Sequence, residues 1–462
     1  MACNASSCQS NCHRNEEEQA QEEEFGGSAN SISNYNDRNL NVCVKCKSNE
    51  PISGGNAEDG RFCADCFRSN LYGKFRLAVI SNAMICPTDN VLVAFSGGPS
   101  SRVALQFVHE MQDKSQKNFD ASRDRSLPVF GVGVAFIDER VIFPVPSHEI
   151  DKAIQDFRSI VSALAPPRKE LHVVPIENIC SSSSSDGRDR LKNLLDAISD
   201  STGKEDLLLH LRMLSLQKIA SENGYNRVIL GSCTSSIACH VISAIVKGQG
   251  YSLPGDIQYV DARWEIPVVL PLRDCLKQEL NRLCHLDGLK TVELHKVPYS
   301  GINGLVSSFV TLLQKENPSR ECTIVRTAGK LTPFHFNSIP EKSDSNTTLA
   351  TQRRLKKYNL KLNESLSSES FCPVCNSPLN KSDLLRQSNL QNHQTSSDSF
   401  GAACCSSCRF QILPKDPSSM EHFYMHLPQP LVARAKHSSY GNLSLLREQI
   451  QDCLISDSED ES

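Results

Sequence analysis

The chain has 462 residues, 39% of them apolar and 22% charged, with a formal net charge of −4. That balance excludes a protein basic throughout, so any nucleic-acid contact has to come from a local basic patch. Twenty cysteines with no apolar leader after Met1, and no run of about 18 apolar residues, point to a reducing cytosol and no membrane, where paired cysteines signal metal, redox or catalysis.

Residues 1–40 are rich in Asn, Ser, Gln and Glu, and read as a disordered tail that cannot offset its ordering entropy. Cys3, Cys8, Cys12 and His13 lie there at a spacing that fits no common metal site. Residues 41–70 form a first cysteine module. Cys43-x-x-Cys46 and Cys63-x-x-Cys66 enclose 16 residues, the pattern of a tetrahedral four-cysteine zinc site; a redox dithiol is the other reading.

From 71 to 335 the chain alternates. A helix is expected from Phe75 to Met84, then a wholly apolar strand from Val91 to Phe95, the mark of burial on both faces. Helices are expected at Ser101 to Met111, His148 to Ala163, Leu207 to Asn223, Ile237 to Val246, Arg273 to Cys284 and Gly304 to Gln314. Strands are expected at Val129 to Ile137, Leu171 to Ile176, Val228 to Leu230 and Ile266 to Leu270, and a Ser/Asp/Arg loop at 181–190. Strands alternating with helices call for an α/β fold with an open parallel, Rossmann-like sheet.

The first strand runs into Ser96, Gly97, Gly98, Pro99, Ser100 and Ser101, where the next helix begins. A phosphate reaches bare backbone only where no Cβ intrudes, and the unpaired amides of a helix start attract an anion. Pro99 suits the first helical turn, and Ser96 and Ser101 offer hydroxyls. A tight strand-to-helix turn without ligand remains the other reading of the glycine pair.

Residues 336–368 read as a polar, basic linker. Arg353, Arg354, Lys356 and Lys357 cluster there beside Tyr358, either to neutralise RNA phosphates or as a solvated helix face. Residues 369–412 hold a second module, Cys372-x-x-Cys375 with Cys405-x-x-Cys408. Cys404 competes with Cys405, but only Cys405 preserves the C-x-x-C knuckle. Residues 413–462 read as a tail ending in the acidic run DSEDES.

VLVAFSGGPSS resembles the SGGxDS loop of the PP-loop ATP-pyrophosphatase superfamily, of HUP-type fold. AFIDER, VILGSCTSSIACHVI, IPVVLPLRDCLKQEL and NPSRECTIVRTAGKL are similar to later segments of its tRNA-thiolating members. The resemblance implies a nucleotide site at Ser96, Gly97, Gly98, Ser100, Ser101, Asp138 and Gly231. It is nearest to the second, non-catalytic subunit family of cytosolic tRNA 2-thiolation, in plant-like form.

Three departures matter. Ser100 stands where active members usually have Asp. Ser235 and Ser236 stand where they carry paired acids able to hold magnesium. Leu207, Leu208, Leu209 and His210 fill the neighbourhood of their C-x-x-C. The resemblance therefore implies no catalytic residue here, structural zinc, ATP and magnesium held by a catalytic paralogue, and a heterodimer. That pair would move sulfur from a thiocarboxylated ubiquitin-like carrier to the wobble uridine of tRNA Lys, Glu and Gln. A self-sufficient ATP-dependent adenylating enzyme and a zinc-stapled scaffold without nucleotide are the alternatives. Cys233 and Cys239 read as small buried hydrophobes or as a residual persulfide site.

Overall fold

The computed structural model describes residues 42–52, 61–122, 128–143, 145–181, 184–292, 294, 300–331, 370–389 and 395–436. The basic cluster Arg353, Arg354, Lys356 and Lys357, the N-terminal tail, the linker and the acidic end lie outside them. The chain divides into two compact units, Met1–Cys66 and Phe67–Ser462.

In the first unit, Val44 N–H donates to Arg61 O at 2.9 Å and Ile52 N–H to Phe62 O at 2.8 Å. These bonds draw the two C-x-x-C segments together.

The elements through the α/β region are α1 (Ala64–Ser81), β1 (Asn90–Ala94), α2 (Pro99–Ala121), β2 (Gly131–Asp138), α3 (Ser147–Ala163), β3 (Glu170–Pro175), α4 (Ser184–Asp196), α5 (Ser201–Glu222), β4 (Arg227–Ile229), α6 (Thr234–Val246), α7 (Leu253–Asp256), β5 (Val260–Asp261), β6 (Val268–Val269), α8 (Lys277–Leu286), α9 (Gly301–Glu316) and α10 (Ser319–Ala328). The strands form one sheet in the order β3-β2-β1-β4-β6-β5. All neighbouring pairs are parallel except β5 with β6. The sheet is thus parallel with one antiparallel edge strand, which the sequence did not announce because β5 is only two residues long. The central strands carry apolar side chains on both faces: Val91, Leu92 and Val93 of β1 and Val228 and Ile229 of β4 are buried.

The chain steps from β1 out to β2 and β3, then returns to place β4 on the other side of β1. The strand order therefore reverses between β1 and β4. In open α/β sheets, the crevice beyond the carboxyl ends at such a reversal is where ligands bind.

Two expectations are corrected. The Ser/Asp/Arg loop at 181–190 is mostly helix, since α4 starts at Ser184. Leu191 and Leu194 supply its buried face, a helical period hidden behind a serine run. The tail expected from 413 is folded as far as 436. Pro417–His426 is helical, capped by Asp416, whose carboxylate accepts from Ser419 N–H at 3.0 Å. Met420, Phe423, Leu427, Leu431 and Ala435 are buried in the main core, and the Arg434 guanidinium lies 4.8 Å above the Trp264 ring. The apolar spacing was there, but the acidic end dominated the composition of the segment.

The second cysteine module belongs to the same compact unit as the sheet. Asn376 donates to Arg263 O at 3.1 Å and Ser407 to Lys247 O at 3.0 Å. Any Cβ on Gly203 of α5 would lie 2.0 Å from the Gln411 carbonyl oxygen. The Lys247 side chain is only 7% exposed and reaches both Asp206 oxygens at 2.8 Å, tying the end of α6 to α5.

Candidate functional site

Beyond β1 the backbone turns at Gly97, whose φ of +82° lies in the left-handed region. A Cβ there would stand 2.6 Å from both the Phe157 ring and Val292 O. Gly98 is the N-cap of α2 with φ −71°, and Pro99 occupies the first helical turn. The nearest atom to a Cβ on Gly98 is Ser96 Oγ at 3.8 Å, so the space beside its Cα is open. The Ser101 hydroxyl turns back into the loop: it donates to Gly98 O at 3.0 Å and accepts from Ser96 N–H at 3.3 Å. Ser96 is exposed and Ser100 half-buried.

The turn after β4 lies against this loop. A Cβ on Gly231 would be 2.8 Å from Ser101 N and Cα. Gly97, Gly98, Ser101 and Gly231 are therefore brought together at the strand-order reversal. Asp138 sits at the carboxyl end of β2, the next strand, but its carboxylate is engaged. Arg140 donates to it through its backbone N–H at 3.0 Å and through Nε at 2.7 Å. The sequence reading missed Arg140, although the adjacent Asp-Glu-Arg was the available signal.

Ser235 and Ser236 lie in the first turn of α6. Ser236 closes a capping box with Cys233: its hydroxyl accepts from Cys233 N–H at 3.0 Å and donates to Cys233 O at 2.8 Å. Ser235 donates to Glu321 of α10 at 2.5 Å. Glu321 is buried, and its Oε1 has no hydrogen-bond partner. Burial raises its carboxyl above the ordinary value of 4.5. The native state thus holds this proton more tightly than the unfolded chain does. Stability attributable to Glu321 is full below about pH 4.5 and falls as pH rises through the raised value. Glu321→Gln is expected to remove that decline, which urea melts from pH 4 to 8 will measure; parallel pH profiles for the two proteins would refute it. Sequence reading missed Glu321 because nothing local distinguishes it from a surface acid.

Cys233 is buried. Burial also pushes the Cys239 thiol up to about 11, which leaves it protonated and a poor nucleophile at neutral pH.

Each cysteine module gathers its four paired cysteines. The sulfurs of Cys43, Cys46, Cys63 and Cys66 lie within 4.8 Å of one another, as do those of Cys372, Cys375, Cys405 and Cys408, so each group can hold one metal ion. The two C-x-x-C knuckles that begin the modules are built alike. Lys47 N–H donates to Cys43 O at 2.8 Å, and Asn376 N–H to Cys372 O at 2.9 Å. The residue after each second cysteine is left-handed, Lys47 at φ 56° and Asn376 at φ 57°. Cys405 caps the helix Ser406–Gln411 and accepts from Cys408 N–H at 3.5 Å. Helix-end amides favour the thiolate that a metal requires. Cys404 instead donates to Phe400 O at 3.3 Å, and Cys405 rather than Cys404 completes the four-sulfur group.

No family model matches the sequence. The chain is 60% identical over 465 residues to the cytoplasmic tRNA 2-thiolation protein 2 of Arabidopsis thaliana, covering all of both chains. The chain belongs to the cytoplasmic tRNA 2-thiolation protein 2 family. The protein of that name from Oryza sativa subsp. indica is 54% identical over 86% of each chain. The human one is 25% identical over 91% of this chain and 94% of its own. Among solved structures, the U34-tRNA thiolase NcsA from Methanococcus maripaludis with its [4Fe-4S] cluster is 17% identical. It aligns with a TM-score of 0.48 over 71% of this chain and 99% of its own.

The stretch from Leu207 to His210 is built mainly as core. Leu207 and Leu208 of α5 are buried in the main apolar cluster, while Leu209 faces out. His210 is half-buried, and burial lowers its imidazole below the ordinary 6.5. None of these four side chains can take up or pass on sulfur as a thiolate does.

Proposed function

We propose that this chain is the non-catalytic subunit of a tRNA 2-thiolation complex. It works with a catalytic paralogue that takes sulfur from a thiocarboxylated ubiquitin-like carrier and places it on the wobble uridine of tRNA Lys, Glu and Gln. Family membership over the full length supports the process and the cytoplasmic setting. The observation that carries the non-catalytic assignment is at α6, where Ser235 and Ser236 are engaged with Glu321 and Cys233. Hydroxyls so engaged are weak substitutes for carboxylates around a hard cation.

The open face at Gly98 supports a retained phosphate-binding role for Ser96, Gly97, Gly98, Ser100, Ser101 and Gly231, with Asp138 bordering the crevice. Zinc is the metal proposed for both four-cysteine groups, since four thiolates suit it and leave no open position for Lewis-acid chemistry. Its contribution is then to the fold. Arg353, Arg354, Lys356 and Lys357 are proposed to contact the tRNA backbone.

Mass spectrometry of wobble nucleosides from cells lacking the chain is expected to show loss of 2-thiouridine; normal levels would defeat the proposal. Purified alone, the chain is expected to release no pyrophosphate from ATP with or without tRNA. Robust release would identify a self-sufficient adenylating enzyme instead.

A further inference from the structure

The helix Pro417–His426 was unexpected, and it presents a feature that the function above does not use. His422 and His426 lie four residues apart, one turn along the same face. Their Nε2 atoms point at each other, 3.3 Å apart, with ring centroids 4.6 Å apart and planes inclined at 67°. Two imidazole nitrogens bound at 2.0–2.1 Å to one tetrahedral ion need to be about 3.3–3.4 Å apart. The spacing required for joint ligation is therefore already present without an ion.

Without a metal, the contact is a hydrogen bond only when one ring donates to the other, which requires opposite tautomers on the facing nitrogens. A metal uses both lone pairs and removes that constraint. His422 is exposed and His426 half-buried, so an ion reaches the pair from solvent and completes its shell with water. Neither histidine belongs to either four-cysteine group.

The neighbours on α4 balance one another. Arg190 donates to Met425 O and Leu427 O, both at 3.3 Å, and places a cation near His426. Asp186 places a carboxylate near it.

We propose that His422 and His426 form a third metal site, for a borderline divalent transition ion of the Zn2+, Ni2+ or Cu2+ class. Bound there, the ion clips adjacent turns of the helix that closes the C-terminal part of the core.

The test is calorimetric titration of Ni2+ into the full chain carrying metal at its cysteine groups. One binding event is expected in the wild type and is lost in both His422→Gln and His426→Gln. Elemental analysis of the cysteine-held metal and the circular dichroism spectrum are expected to stay unchanged in both. Ni2+ is also expected to raise the melting temperature of the wild type and not that of His422→Gln. His422 is exposed, so that variant alone decides the matter if His426→Gln proves less stable. Titrations that match in wild type and His422→Gln, or a wild type with no such event, would overturn the site.

Discussion

Cys372→Ser is expected to strip one metal equivalent from the protein and to open the C-terminal part of its larger unit. Cys372 is completely buried, and with Cys405 and Cys408 it belongs to the main apolar cluster that also holds Phe400 and Phe423. Serine cannot supply a thiolate, and three remaining thiols hold a metal poorly. Loss of a structural metal is among the few changes that destabilise by more than about 4–5 kcal/mol, against a total of about 5–15 kcal/mol for a domain. Elemental analysis with thermal melting checks this, and full metal content with an unchanged melting temperature would contradict it. Cys404→Ser, one residue from a ligand, is expected to leave metal content untouched, because its sulfur bonds Phe400 O. Cys43→Ser is expected to remove the other metal equivalent and destabilise its own module, while the unit from Phe67 onward keeps its melting transition.

The second large effect separates two adjacent glycines. Gly97→Ala forces a side chain onto a φ of +82° and sets its methyl 2.6 Å from Val292 O and the Phe157 ring. The left-handed backbone costs about 1–2 kcal/mol and overpacking about 1–3 kcal/mol, for a combined loss of about 2–5 kcal/mol. Gly98→Ala meets nothing closer than 3.8 Å at an ordinary φ, so its stability is expected to stay within about 0.5 kcal/mol of the wild type. Its methyl nevertheless covers the amide that a phosphate would approach. Cells carrying only Gly98→Ala are therefore expected to lose wobble thiolation without losing the protein. Full thiolation with that variant would mean that no phosphate approaches Gly98, leaving the loop a purely structural turn.

The site was legible in the sequence where its chemistry is local. The glycine turn after β1 and both four-cysteine groups, with Cys405 rather than Cys404 in the second, rest on spacing over a few residues, and such spacing survives folding unchanged. That Leu207 and Leu208 stand where thiols are expected came only from the resemblance to thiolating proteins, not from spacing. What escaped were contacts between distant segments. Glu321 reaches Ser235 across 86 residues, and Ser407 reaches Lys247 across 160. The helix at 417–426 escaped because its apolar positions were read together with an acidic end that lies beyond the described residues.

By itself the sequence determined the alternation of buried strands and helices, the glycine turn after β1 and the pairing of cysteines into C-x-x-C knuckles. Each of these is written in side-chain period or short spacing. Only the tertiary structure decided which strand lies beside β1, so that Gly231 closes on Ser101, and which carboxyl is buried against α6. It also brought the second cysteine module and residues 417–436 into one core with the sheet. These are outcomes of packing between elements far apart in the chain, where shape and burial choose the partner and no local pattern records the choice.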